Sequence, residues 1–64
     1  MKDLIQQQLS QLHRGQQVTV IYDGKFENKR MRISGTVVSV DNYWQVLQIR
    51  NTVIDFSEIC EIIH

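Results

Sequence analysis

The sequence predicts a mainly β fold: one N-terminal α-helix followed by a small, strongly bent, five-stranded antiparallel barrel. Apolar residues recur at helical spacing only near the start of the chain. From Gln16 on, the pattern changes to short β-branched and aromatic segments separated by turn residues, a spacing that argues for an all-β barrel or sandwich. The chain has 64 residues, which is room for one domain, with the helix expected over 3–14 and the barrel over 17–63.

The helix is marked by Leu4, Ile5, Leu9 and Leu12, which form one narrow apolar stripe among glutamines. Asp3 followed by Gln6 resembles a capping box. His13 and Arg14 suit a helix C-terminus, where the dipole favours positive charge, and Gly15 suits a left-handed ending. Val18 to Tyr22 then reads as a strand, with Asp23-Gly24 as the turn and Lys25 to Arg30 as the rest of a loop. Met31 to Val40 reads as a long strand. Gly35 inside it signals a bulge, a tight bend or a close backbone approach, and a long second strand bent at its middle lets a small barrel serve both of its sheets. Asp41-Asn42 makes the next turn. Tyr43 to Arg50 is expected as the third strand, with Leu47 and Ile49 on one face. Thr52 to Asp55 is the fourth, Phe56-Ser57-Glu58 a single helical turn, and Ile59 to Ile63 the last strand.

Composition narrows the function classes. Seven basic and seven acidic residues leave a net charge of zero, so no global field draws the chain to nucleic acid or membrane. A domain this small buries only about 60% of the surface its unfolded chain exposes, so good packing or self-association must supply its stability. Cys60 is the only cysteine. A disulfide within the chain is therefore impossible, and Cys60 with His13 and His64 makes no zinc cluster. A lone thiol fits a reducing compartment. No apolar run approaches the roughly 20 residues of a membrane span, and the glutamine-rich start does not read as a signal peptide. The sequence is thus read as that of a soluble cytoplasmic protein. It shows no phosphate loop, dinucleotide fingerprint or zinc spacing, and no serine that can be placed beside a lysine. No enzyme, no cofactor, no metal and no small-molecule substrate are expected.

Three groups of residues carry a family likeness. They are Val18-Thr19-Val20-Ile21-Tyr22 with Asp23-Gly24, then Ile33-Ser34-Gly35-Thr36-Val37 with Asp41 after it, and Ile54-Asp55-Phe56-Ser57-Glu58-Ile59 with Glu61-Ile62. Over Val18 to Ile63 the chain resembles the YolD-like family of small bacterial proteins. Asp55 stands where that family often has proline, and Ser57 where it often has aspartate. The resemblance implies an Sm-like or SH3-like barrel. It also implies a link to DNA-damage tolerance, where such proteins are encoded beside a Y-family translesion polymerase. The order of one helix and five strands is similar to that of bacterial Sm-like RNA chaperones as well, although their RNA-contact signatures are not evident.

Two surfaces stand out. Lys25, Lys29, Arg30 and Arg32 surround the first hairpin with Glu27 as the one acid among them, while Asp55, Glu58 and Glu61 collect near the end. The basic group is a candidate nucleic-acid contact; alternatively it is a solvated loop, or it meets the acidic end of a neighbouring subunit. The second surface is aromatic. With Leu47 and Ile49 facing the core, Tyr43 is expected on their side and Trp44 and Val46 on the other, so Tyr43, Trp44 and Val46 form a candidate interface. Tyr22 is expected at a partly buried strand end, Phe26 as a loop anchor, and Cys60 as a small core residue. The first expectation for function is a non-enzymatic adaptor or regulator that binds itself or a larger protein through strand edges and the Trp44 face. The second is an Sm-like binder of single-stranded nucleic acid through the basic hairpin and Tyr43 or Trp44.

Overall fold

The computed structural model describes the backbone of residues 2–63 and the side chains of residues 4–63. Helix α1 (Lys2–Ser10) is followed by β1 (Gln17–Gly24), β2 (Lys29–Asp41), β3 (Val46–Ile49) and β4 (Thr52–Asp55). A 3-10 turn (Phe56–Glu58) then leads into β5 (Ile59–Ile63). The five strands form one antiparallel sheet in the order β4-β3-β2-β1-β5. Its end strands β4 and β5 are not hydrogen-bonded to each other, so the sheet is bent but not closed.

The bend lies in β2. Lys29 to Thr36 pair with β1, and Val37 to Asp41 pair with β3, with a register shift between Val37 and Ser39. The expectation from Gly35 is met in a specific way: a Cβ there would lie 2.7 Å from Arg50 Cγ and 3.3 Å from the Ile49 methyl Cγ2. The stem of Arg50 therefore crosses directly over Gly35 where the strand changes partner. Between the two halves sit Val18, Val20, Val37, Leu47, Ile49, Ile54, Phe56, Ile59 and Ile62, all buried. Among the described residues no polar or charged side chain is buried.

Helix α1 completes this core from one side. Leu9 and Leu12 are buried, Ile5 packs against them, and the helix lies on β5, where the Gln8 amide Nε2 donates to the Ile62 carbonyl (3.3 Å). Leu4, expected in the stripe, is 63% exposed. At about 100° per residue it is turned well away from the line through Ile5, Leu9 and Leu12. The α-helix also ends at Ser10 rather than Arg14. The amides of Gln11 and Leu12 bond three residues back, to Gln8 and Leu9 (3.2 Å each), which tightens the last turn. His13 and Arg14 thus lie in the connector and not on the helix end. There the Gln16 amide bonds to the His13 carbonyl (3.1 Å), and Gly15 at φ +93° occupies the third position of this turn, where positive φ favours glycine. The proposed cap at Asp3 falls on a side chain outside the described ones.

Two turn boundaries shift. Asp23-Gly24 is the end of β1, paired with Arg30 and Lys29, and the turn is Lys25 to Asn28. It is closed by the Asn28 amide bonding to the Gly24 carbonyl (2.9 Å), with Asn28 at φ +54°. Asparagine tolerates this left-handed conformation. Likewise the predicted third strand loses its first three residues to a turn over Asn42 to Gln45. The Asp41 carboxylate accepts the amides of Tyr43 (2.9 Å) and Trp44 (3.0 Å), diverting both from any ladder.

Two outcomes test this packing by urea unfolding. Leu9→Ala costs about 2–5 kcal/mol, whereas Leu4→Ala stays within about 0.5 kcal/mol; equal effects would place the helix differently. Gly35→Ala costs about 1–3 kcal/mol through crowding, and much of the loss is recovered in the Arg50→Ala background. Strict additivity of the two changes would exclude the contact.

Candidate functional site

The basic hairpin is built differently from a phosphate-binding patch. The β1–β2 loop folds toward β4, and Lys25 Nζ lies 3.0 Å from Asp55 Oδ2. The hydrogen bond from Asp55, then its charge and that of Glu58, hold the Lys25 ammonium above the ordinary lysine range. For a cation raised in this way, the contribution is complete at neutral pH and is lost only as pH rises through the raised value. Arg30 faces Asp23 across the β1–β2 ladder, Nε to Oδ1 3.6 Å. Glu58 lines the same groove as Lys25, Lys29 and Arg30. Thus the basic hairpin and the acidic end, expected to meet across a subunit boundary, meet within one chain. Lys29 and Arg32 have no ion pair among the described residues; Arg32 projects from the outer face opposite Ile21.

Cys60 does not enter the core. It falls at the register shift between β5 and β1, half-buried beside Asp23 and Arg30. Burial pushes its thiol above the ordinary range; Arg30 acts in the opposite direction and Asp23 in the same one. The sulfur lies 3.8 Å from the Glu58 carbonyl. The serines are engaged elsewhere: Ser10 donates to the Gln7 carbonyl, and Ser34 bonds the Thr19 hydroxyl, each at 2.8 Å. Among the described residues no group of three histidine, cysteine or acidic side chains is placed to hold a metal ion. No helix there is long and apolar enough to cross a membrane.

The aromatic surface is the more definite feature. Tyr43 and Trp44 sit at the tip of the β2–β3 turn, 83% and 71% exposed. Tyr43 does not share the core-facing side of Leu47 and Ile49 as expected, because the Asp41 carboxylate takes both aromatic residues out of the strand. Their rings meet edge to face with centroids 5.0 Å apart, a favourable quadrupolar geometry. The turn is fixed further by the Gln45 amide Nε2 bonding to the Asn42 carbonyl (2.9 Å), and by the Phe56 amide bonding to the Gln45 carbonyl (2.8 Å). Val46 stands apart from the pair: it opens β3, half-buried, paired with Asp41 and Asp55. Tyr22 packs against the core as expected. Phe26 anchors nothing; it stands 97% exposed at the tip of the β1–β2 loop.

Sequence reading missed one feature altogether. An open cleft of about 240 Å³ lies between α1 and the 3-10 turn, walled by Ile5, Phe56 and Ile59 with Gln6, Gln45 and Ser57 at its polar parts. It joins residues from opposite ends of the chain, so no local pattern announces it. Comparison of the chain with protein-family models, curated proteins and solved structures gives no match.

The raised thiol yields a direct expectation. At neutral pH Cys60 reacts with a disulfide reagent more slowly than the same residue in urea-unfolded protein, because less thiolate is present and access is limited. The rate climbs as pH rises toward the raised value. Equal rates in folded and unfolded protein would contradict its placement.

Proposed function

We propose that the protein is a non-enzymatic interaction module: a small bent barrel of the Sm-like or SH3-like kind that acts as an adaptor or regulator by docking its β2–β3 turn onto another protein. The observation that carries this reading is the Tyr43–Trp44 pair. Exposed aromatics of this size are the residues that dominate protein interfaces, and here they are held by backbone bonds to Asp41 rather than left to sample solvent. A pre-ordered anchor loses little entropy on binding. The barrel reading is supported by the strand order, with the last strand returning to pair with the first, and by the single 3-10 turn joining the two end strands. Resemblance to the YolD-like family directs the search for a partner toward DNA-damage tolerance and a Y-family polymerase.

The same geometry weighs against nucleic acid as the main ligand. Of the four candidate contacts, Lys25 and Arg30 are already paired with Asp55 and Asp23. Binding a phosphate there would first have to break an ion pair and then face the carboxylate left behind.

Affinity capture from lysates of DNA-damaged bacteria tests the proposal. The unmodified protein is expected to retain a replication or repair protein that the Tyr43→Ala/Trp44→Ala variant loses, and Asp41→Ala should weaken retention while leaving both rings in place. Identical retention by all three would set the aromatic turn aside. A labelled single-stranded oligonucleotide should show no binding at physiological salt; binding that is lost in Lys29→Ala/Arg32→Ala would reverse the ranking.

A further inference from the structure

Trp44 and the cleft beside α1 are neighbours, yet Trp44 does not line the cleft; Gln45, the next residue, does. We propose that two copies of the chain form a two-fold dimer in which Trp44 of each enters the other's cleft between α1 and the Phe56–Glu58 turn. This rests on reading the Tyr43–Trp44 turn as a docking element and names a second copy of the chain as its occupant.

Size, placement, area and charge agree. An apolar cavity of about 150 Å³ accepts benzene, so a cleft of about 240 Å³ has room for an indole. Ile5, Phe56 and Ile59 provide its apolar walls, while Gln6, Gln45 and Ser57 bring oxygens able to accept from the indole N–H, which is a donor only. Because the ring and the cleft lie on one side of the molecule, a single two-fold axis satisfies both exchanges together and closes the assembly at two copies. Burying two tryptophans and two tyrosines at about 150 Å² or more each, with matching area on the receiving walls, gives about 1,200 Å² in total, the lower bound of a specific interface. Leu4 on α1, 63% exposed beside Ile5, adds apolar surface next to the cleft. With a net charge of zero, two copies approach without repulsion. The dimer covers the same rings that a larger partner would use, so self-association and partner docking exclude each other.

Trp44 is the only tryptophan, so its emission reports the event directly. Sedimentation equilibrium and fluorescence are followed together from micromolar to millimolar protein. The dimer fraction should rise while the emission moves to shorter wavelength in parallel. Trp44→Ala should weaken association by about thirtyfold or more, the loss typical of a tryptophan anchor. Ser57→Arg, which blocks the cleft from an exposed position, should weaken it similarly and keep Trp44 at its solvent-exposed wavelength. Circular dichroism checks that each variant folds, with Gln6→Arg as a second blocking change. A monomer across the whole range overturns the proposal, as does a dimer indifferent to these variants or one that forms without a shift in emission. A monomer that still captures a partner through Trp44 would remove this inference alone. A dimer that captures none would remove the adaptor reading and leave this one standing.

Discussion

The structure depends on one stretch of backbone, Thr36-Val37, which is bonded on both sides at once. Toward β1, the Val37 carbonyl accepts from Gly15 and its amide donates to Gln16, each at 2.8 Å. Toward β3, Val37 pairs with Ile49, and the Thr36 carbonyl accepts from the Arg50 amide at 3.3 Å. The partner strands are exchanged within two residues, so the sheet must turn there. The turn places the inner faces of the two halves over a common core. Gly35 is needed beside this point because the Arg50 stem passes over it, and Gly15 because the connector must arrive there through a left-handed residue. The position of α1 follows in turn, since the connector is fastened to Val37 only a few residues after Leu12.

Charge follows the same geometry. Because the β1–β2 loop leans toward β4, Lys25 reaches Asp55 thirty positions later, and cations that look clustered in sequence are interleaved with acids in space. Exposed pairs of this kind add little to stability, but they remove local field. What the surface then offers is mainly apolar and aromatic: Tyr43 and Trp44 at one turn, Phe26 at another, and the cleft beside α1.

The sequence announced what is locally encoded. The order of elements, the β4 segment, the single turn at Phe56–Glu58 and the β5 strand stand where periodicity and β-branched runs placed them, and Gly35 marked the bend. Its misreadings share a cause. Asp23-Gly24 has turn chemistry, but cross-strand pairing with Arg30 and Lys29 continues the strand through it. Tyr43 and Trp44 have strand propensity, but a carboxylate two and three residues earlier takes their amides. Leu4 has the right residue type but the wrong angle. In each case one specific contact outweighs a propensity of a fraction of a kcal/mol. The ion pairs and the cleft were illegible for a different reason: they join residues distant in the chain, and so exist only once the fold does.

That long reach also governs when the fold can form. Helix α1 is made first, yet its apolar stripe lies on β5, the element synthesised after every other one described, and the bond from Gln8 to Ile62 spans 54 positions. Until Ile59 to Ile63 have left the ribosome, Leu9 and Leu12 have no β5 to lie on, and a nine-residue helix is marginal without such packing. Folding is therefore a post-translational event in which the two ends of the chain close together. A nascent chain stalled short of β5 presents its apolar residues to whatever chaperone or protease meets it first.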